Sequence, residues 1–340
     1  MRKYYFAAAG IMTVLSVMRP AVAFETKFHD ATLRITGYGT AGMIQPDFDN
    51  PDFLGDWSAR AQLNYSPTSQ HTIGMVYSLD AQNAEQHDYI DDLFVMWQSR
   101  DLGRVEIGMT DSIAAKLGLG LPDVGGMRVN DNPLFYKKIK PDGPIIADGA
   151  ADSGTDLRIN LATAVHNGAQ YGVSVAGLTN DCDYAVEAGA LFRLRGGRTK
   201  TAISLGASFI DNPDDFNADP YAPNLTADWR AQASAGLNLQ YKSWIWGLNA
   251  RAVYDYNAKS RTSDGLSAGT GVSYDILNYS LSLSYILSDT GIWHSDANNY
   301  VDNTVIASFR YKYSQNVDGW TSVGVSSHTP FLAAGLRLTF

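Results

Sequence analysis

Acidic and basic side chains are interspersed along one long segment, Asp111 to Ser153, in the first half of the chain. Such side chains can transfer protons in catalysis, or they can act electrostatically on ions that pass close to them. Which of the two applies depends on whether a nucleophile and a base also come together. The acidic residues of the segment include Asp111, Asp123, Asp131, Asp142 and Asp148, and its basic residues are Lys116, Arg128, Lys137, Lys138 and Lys140.

The histidines do not support catalysis. A covalent mechanism needs a nucleophile and a general base within hydrogen-bond reach of each other, and histidine is the most frequent base. Every histidine of this chain falls at a predicted strand end, turn or loop. We therefore predict that the protein is not an enzyme. The histidines are His29, His71, His87, His166, His294 and His328.

No metal site or cofactor is predicted either. The segment Asp211 to Asp219 is rich in carboxylates, but it lacks the spacing of a dedicated calcium loop, so a solvated surface loop is favoured. Bridging of such acidic loops to lipid phosphates by divalent cations stays open. Cys182 is the only cysteine, so the fold is expected to form without a disulfide framework.

Strict alternation of apolar and polar residues is the dominant pattern, and it is typical of β-strands rather than helices. Between Trp229 and Tyr241 every apolar residue falls on one face, while Arg, Gln, Ser, Gly and Asn fill the other. Turn residues separate sixteen such segments, which predicts an all-β protein of about sixteen strands. The predicted strands are 31–43, 56–65, 70–79, 89–99, 103–110, 154–163, 170–178, 183–193, 199–210, 228–241, 244–256, 264–275, 278–288, 300–313, 320–326 and 331–340.

Aromatic placement distinguishes a membrane barrel from a soluble sandwich. Trp, Tyr and Phe recur at both ends of the apolar faces, as in Trp229 with Tyr241 and Trp244 with Tyr254. Their spacing corresponds to about 20–30 Å along the membrane normal, the height of the apolar band between two aromatic girdles. The opposite faces are too polar to form a core, so they must face water. The prediction is a transmembrane antiparallel β-barrel with a water-filled lumen.

The first 23 residues read as a signal peptide. Arg2 and Lys3 precede an apolar run that is too short to span a bilayer, and Ala21-Val22-Ala23 supplies small residues for cleavage. The barrel domain is therefore expected to comprise residues 24–340. Without residues 1–23 the chain carries 23 Lys and Arg against 35 Asp and Glu, a net charge of −12, which argues against a nucleic-acid partner.

Four features make residues 24–340 resemble the general porin family of Gram-negative bacteria. They are the signal peptide, the strand Thr36 to Gly42, the strand Gly103 to Met109 followed by a long loop, and the terminal Phe340 with Leu336 and Leu338 at alternate positions before it. The resemblance implies a location in the outer membrane, contact with its lipid, and a homotrimer. It also implies that Leu336, Leu338 and Phe340 form the signal read by the barrel-assembly machinery.

The resemblance further implies that the third external loop, Asp111 to Ser153, folds into the lumen and narrows it. In the family, acidic loop residues face basic residues of the wall and create a transverse electric field. The expected constriction residues are Arg60, Arg158, Glu106, Asp111, Lys116, Asp123, Arg128 and Asp131, and further lumen-lining residues are Arg34, Arg310, Lys312 and Arg337.

The expected function is passive diffusion of ions and small hydrophilic solutes through a water-filled channel. One alternative is a substrate-selective channel for sugars or for anions such as phosphate. The only large inward aromatics are Tyr38, Phe94 and Trp320, which do not form the ladder that a sugar channel needs, whereas the basic residues leave anion preference open. A structural or adhesive barrel that does not conduct is the second alternative.

Overall fold

The computed structural model describes residues 24–47, 51–82, 90–122, 124, 156–177, 184–211, 228–257, 263–289, 301–326 and 329–340. The proposed signal peptide, residues 1–23, lies outside them. The strands are β1 (Phe24–Phe28), β2 (Ala31–Pro46), β3 (Asp52–Tyr65), β4 (His71–Gln82), β5 (Ile90–Ser99), β6 (Gly103–Thr110), β7 (Asp156–Thr163), β8 (Ala169–Ala176), β9 (Ala185–Gly196), β10 (Thr199–Asp211), β11 (Trp229–Tyr241), β12 (Trp244–Tyr256), β13 (Ser263–Ile276), β14 (Tyr279–Asp289), β15 (Val301–Lys312), β16 (Val317–Ser326) and β17 (Thr329–Thr339), and one helix, α1 (Ile113–Leu117), follows β6.

Strands β2 to β17 form a closed, antiparallel, sixteen-stranded barrel, as the alternation predicts. Each strand pairs with its neighbours in sequence, and β17 closes the sheet by pairing with β2 from Phe331↔Pro46 to Thr339↔Tyr38. Closure leaves no unpaired edge between the last strand and the first, which a lipid environment requires because no water is present there to satisfy backbone groups.

Strand β1 was not predicted. It forms a hairpin with the first residues of β2, from Phe24↔Ile35 to Phe28↔Ala31, below the point where Phe340 pairs with Gly37. Strand β1 therefore pairs with the first residues of β2, and β17 pairs with the residues of β2 that follow on the same edge. Its five residues, Phe-Glu-Thr-Lys-Phe, are almost all exposed and carry too short an alternation to be recognised from sequence.

The two faces of the barrel are inverted relative to a soluble protein. On β14, Leu283 is 51% exposed, while the next residue, Ser284, is 2% exposed. The same contrast recurs on other strands, with large apolar side chains exposed on one face and small or charged side chains buried on the other. Side chains on the concave face converge, so the polar face is the lumen face and the apolar face is the outside.

Aromatic rings cluster near both ends of the apolar outer face. Trp229 stacks on Tyr256 at a centroid distance of 5.4 Å at one end, and Trp244 lies 4.3 Å from Tyr274 at the other. The thirteen residues of β11, which begins at Trp229, correspond to about 30 Å along the barrel axis at a tilt near 40°. The outer face thus matches the height of an outer-membrane bilayer.

Connections at one end of the barrel are short and those at the other include long ones. The chain passes from β11 to β12 through residues 242–243, whereas the connection from β6 to β7 runs from residue 111 to 155. In outer-membrane barrels the short turns are periplasmic and the longer loops external. We call the two ends the short-turn end and the long-loop end. Among the described residues, no helix is long and apolar enough to cross a membrane.

Candidate functional site

The segment after β6 lies against the lumen face of the barrel over its described part, Asp111 to Pro122 and Val124. Ser112 caps α1, since its hydroxyl accepts a hydrogen bond from the Ala115 amide at 3.0 Å. Ile113 and Leu117 of α1 pack in a buried cluster with Leu191 of β9. An apolar contact of this kind inside a polar lumen keeps the segment on the wall, because separating the two would expose both to water.

Backbone amides of the segment donate hydrogen bonds to serines of three successive parts of the wall. The Ile113 amide donates to Ser174 on β8 at 2.7 Å, and the Leu119 amide donates to Ser204 on β10 at 3.1 Å. Further on, the Val124 amide donates to Ser282 on β14 at 3.1 Å. The described part of the segment therefore crosses the lumen face from β8 to β14.

Glu106 on β6 joins the segment to the wall through its carboxylate. It accepts hydrogen bonds from Lys116 Nζ at 2.5 Å and from Asn160 Nδ2 at 2.9 Å, and Arg104 Nε lies 2.7 Å from its other oxygen. Asn160 also donates to the carbonyl oxygen of Asp111 at 2.9 Å. Two predicted constriction residues, Glu106 and Lys116, are thus in direct contact.

A second carboxylate, Asp92 on β5, is linked to the first through Thr110, whose hydroxyl accepts a hydrogen bond from Lys116 Nζ at 2.6 Å. Asp92 accepts a hydrogen bond from Arg60 Nη1 at 3.2 Å and one from the Thr110 hydroxyl at 2.7 Å. Three cations lie over the ring of Phe94, which is two residues after Asp92 on β5. Lys116 Nζ is 4.8 Å from the ring centroid, and the guanidinium carbons of Arg104 and Arg60 are 5.7 and 5.9 Å from it.

We call Arg60, Arg104 and Lys116 the basic cluster. Their side chains are 40%, 33% and 25% exposed, whereas those of Asp92 and Glu106 are only 9% and 5% exposed. Three cations share two carboxylates, so one positive charge is in excess, and the positive groups are the ones that water in the lumen reaches. Buried acids beneath exposed bases give the basic cluster a cationic surface toward the lumen.

Arg158 has a different environment from the one expected of a constriction residue. Its side chain is fully buried and forms an ion pair with the equally buried Glu187 on β9. A charge in this position is neutralised beside α1 and does not line open lumen. Arg230 is likewise buried and forms a bidentate ion pair with Asp255, in which Nε donates to Oδ1 at 2.7 Å and Nη2 donates to Oδ2 at 2.8 Å.

The other predicted positions fall in three groups. Asp111 is half-buried at the start of the segment, where its carbonyl binds Asn160. Asp123, Arg128 and Asp131 lie outside the described residues. On the lumen face near the short-turn end, Arg310 donates to Ser280 at 3.1 Å, Arg337 lies 5.0 Å from the ring of Tyr38, and Arg34 and Lys312 occupy strand positions of the same parity.

The predicted assembly residues lie on the last strand, β17, and directly after it. Phe340 exchanges two backbone hydrogen bonds with Gly37, at 2.7 and 2.8 Å, and Leu336 and Leu338 alternate with Arg337 and therefore point outward. Recognition of these residues by an assembly machinery stays a prediction.

Sequence reasoning missed Asp92, Arg104 and Asn160. The alternation already assigned Arg104 to the same face as Glu106, two residues along β6, so the pair was within reach of the pattern. Asp92 and Asn160 lie on neighbouring strands, and their contacts depend on the register between β5, β6 and β7, which the sequence does not display.

No family model matches the chain, and no curated protein matches it in sequence. Solved structures of outer-membrane proteins do match the fold. OmpT of Vibrio cholerae with loop L8 deleted has a TM-score of 0.66 at 10% identity, covering 92% of this chain and 100% of its own. The Salmonella typhi OmpF in complex with daunomycin has 0.65 at 10% identity, covering 93% and 100%. An anion-selective porin from Comamonas acidovorans has 0.63 at 10% identity, covering 91% and 100%. The chain is therefore similar in fold to outer-membrane porins.

Proposed function

We propose that this chain is a general porin that lets ions and small hydrophilic solutes diffuse passively across the outer membrane of a Gram-negative bacterium. The supporting observation is the inverted closed barrel, with lipid-compatible apolar residues outside and polar or charged residues around the interior. Sixteen strands enclose a lumen wide enough for water, unlike eight, which side chains would fill. Passage requires no covalent chemistry and no cofactor.

The proposed pathway runs between two unlike surfaces. On one side is the segment from Asp111, held against β8 to β14; on the other is the basic cluster on β3 to β6 and at the root of the segment. We propose that residues 125–153 narrow this pathway further and that Asp123, Arg128 and Asp131 contribute charge to it. A solute would be selected by size and by its interaction with the exposed cations.

Export, assembly and oligomeric state belong to the same proposal. Residues 1–23 would be removed as a signal peptide before insertion, and the assembly machinery would read the strand that ends in Phe340. A homotrimer is proposed by analogy with OmpT of Vibrio cholerae, one solved form of which is described as a trimer. It has a TM-score of 0.66 to this chain at 10% identity.

A second candidate is an anion-selective channel, and the basic cluster favours it. Its excess positive charge is exposed while its carboxylates are buried, so the local potential would attract anions. The Comamonas acidovorans structure is described as an anion-selective porin, which makes the same selectivity compatible with this fold. The two candidates differ in the reversal potential under a salt gradient.

Planar-bilayer recording of the purified protein tests both. A diffusion pore should give stable, ohmic conductance steps that rise in proportion to bulk salt, because water fills the lumen. Conductance that saturates at low concentrations of phosphate would identify a channel with a fixed anion site. If the purified, heat-modifiable barrel never conducted, the porin proposal would be wrong and a structural barrel would be favoured.

A further inference from the structure

We propose that the width of the pathway is set by a track of glycines and serines on the lumen face, on which the described part of the segment, Asp111 to Pro122 and Val124, lies as a bound peptide would. We call these wall residues the glycine–serine track. The inference rests on the proposed function, since it assigns the residues that determine pore size. It concerns the wall beneath the segment, which the sequence pattern did not single out.

Glycines of five strands, β8, β9, β11, β12 and β13, lie directly beneath residues of the segment. A Cβ atom built on Gly172 would lie 2.3 Å from Ile113 Cγ1, and one on Gly189 would lie 3.0 Å from Ala114 Cα. A Cβ on Gly236 would lie 3.0 Å from Leu119 Cβ. The first distance is shorter than carbon atoms tolerate, and the other two would require the segment to shift by a few tenths of an ångström, so the absence of a wall side chain lets the segment lie this close.

The same relation continues on β12 and β13. A Cβ on Gly247 would lie 2.4 Å from Pro122 Cδ, and one on Gly269 would lie 2.6 Å from Leu121 Cδ1. Gly247 is directly opposite Gly271 in the register of the two strands, so the two glycines open one shallow depression across the strand pair. The depression receives the proline ring.

Serines of the track recognise the segment by its backbone. Ser174, Ser204 and Ser282 accept hydrogen bonds from amides of residues 113, 119 and 124, and these bonds do not depend on the side chains of the segment. Close approach and backbone hydrogen bonding reinforce each other: a wall side chain would move the segment away from the serines as well as toward the centre of the lumen.

The position of the segment is therefore determined by the wall. A methyl group added to the track displaces the segment inward, and because the segment occupies the lumen, the displacement narrows the pathway. Loss of a serine hydroxyl should have the opposite effect on conductance, because it removes the hydrogen bond that holds an amide of the segment to the wall and adds no volume to the track. The track thus predicts conductance changes of opposite sign from two kinds of substitution on the same wall.

Gly247→Ala is the first test, measured as single-channel conductance and as the rate of sugar uptake by liposomes. We expect a conductance loss of roughly a tenth to a third, and slower uptake of sugars near the size limit. Gly39→Ala is the matched control, because a Cβ at Gly39 on the outer face would meet no atom within 4 Å. Conductance of Gly247→Ala equal to that of the unaltered protein would overturn the proposal.

Pro122→Ala separates displacement of the segment from damage to the wall. It removes the Cδ and Cγ atoms that lie 2.4 and 3.2 Å from the added Cβ, so the double variant Gly247→Ala with Pro122→Ala should regain most of the lost conductance. A double variant no better than Gly247→Ala alone would contradict the proposal, because the loss would then arise from Asn238 or the strand itself.

Ser204→Ala keeps the proposal testable if the glycine variants fail to assemble. It should raise conductance or open-channel noise, because the Leu119 amide loses its acceptor. Ser322→Ala is the control, as Ser322 bonds Ser308 on the neighbouring strand instead. Equal behaviour of Ser204→Ala and Ser322→Ala would overturn the track, whereas absence of conductance in the unaltered protein would overturn the porin function itself.

Discussion

At the residue scale, depth in the wall decides which charges are exposed to the lumen. Asp92 and Glu106 lie beneath Arg60, Arg104 and Lys116, so the carboxylates hold the cations in place while the cations face the lumen. Charges in a narrow, partly desolvated passage act on ions more strongly than charges on an exposed surface, where salt screens them within about 8–10 Å.

Reversing the charge of Arg60 should therefore change ion selectivity. Arg60→Glu replaces the most exposed cation of the basic cluster by an anion beside Asp92, and the reversal potential in a salt gradient should move toward cation preference. Arg195→Glu makes the same charge change at an exposed lumen-side position near the short-turn end. A shift as large for Arg195→Glu as for Arg60→Glu would mean that position in the lumen does not matter.

Buried charge should instead affect stability. Glu187→Gln removes the charge that compensates Arg158 where both side chains are fully buried, and loss of one partner of such a pair costs about 3–5 kcal/mol. Glu25→Gln is the comparison, since the Glu25–Lys27 pair is exposed and should contribute less than about 1 kcal/mol. The free energy of unfolding in urea, measured in lipid vesicles, checks the difference; equal values for the two variants would contradict the buried pairing.

The face of the strand to which each charged side chain points was predictable, but its burial and its ion-pair partner were not. Alternation assigned Arg60, Glu106, Arg158 and Arg310 to the polar face, because side chains of a strand point to the two faces in turn. It did not distinguish the exposed Arg60 from the buried Arg158, since that depends on α1 covering one part of the wall and leaving the other open.

At the element scale, the strands were predictable because each one has to satisfy the same requirement on its two faces. Every strand must place apolar residues against lipid and polar residues toward water, so the pattern identifies it without its neighbours. The sixteen predicted strands agree with β2 to β17 to within a few residues. Helix α1 has only five residues and is held by Ser112 and by the wall, so its local sequence carries little signal.

The last strand should be the element most sensitive to change. Deleting Phe340 removes two backbone hydrogen bonds to Gly37 and exposes the seam between β17 and β2. Leu338→Asp places a charge on the outer face, where it costs free energy against lipid. We expect both variants to be missing from the outer-membrane fraction, as measured by heat-modifiable mobility on gels.

Leu338→Ala is the control for the last strand, because it keeps the outer face apolar and should insert at nearly normal levels. Normal outer-membrane levels of Leu338→Asp would show that Leu338 does not face lipid. Normal levels of the chain lacking Phe340 would show that the terminal residue is dispensable for assembly.

At the scale of the whole molecule, the barrel separates two tasks. Strand pairing and the apolar outer face are suited to a lipid bilayer, and the described part of the segment after β6 lies against the lumen face from β8 to β14 without taking part in any strand pair of the described residues. A segment that is attached by α1, by hydrogen bonds to wall side chains and by close packing on glycines, rather than by strand pairing, can be shortened without opening the barrel.

Removal of residues 118–146 should therefore enlarge the pore while leaving the barrel intact. The deletion keeps α1 and the contact of Lys116 with Glu106, but it removes the part that crosses β10 to β14. We expect higher single-channel conductance and entry of larger sugars, measured in bilayers and by liposome swelling. Shortening residues 213–227, between β10 and β11 at the long-loop end, removes chain outside the strands and should change conductance much less. Unchanged conductance and size limit after deletion of 118–146, in a barrel that still shifts on heating, would mean that the segment does not limit passage.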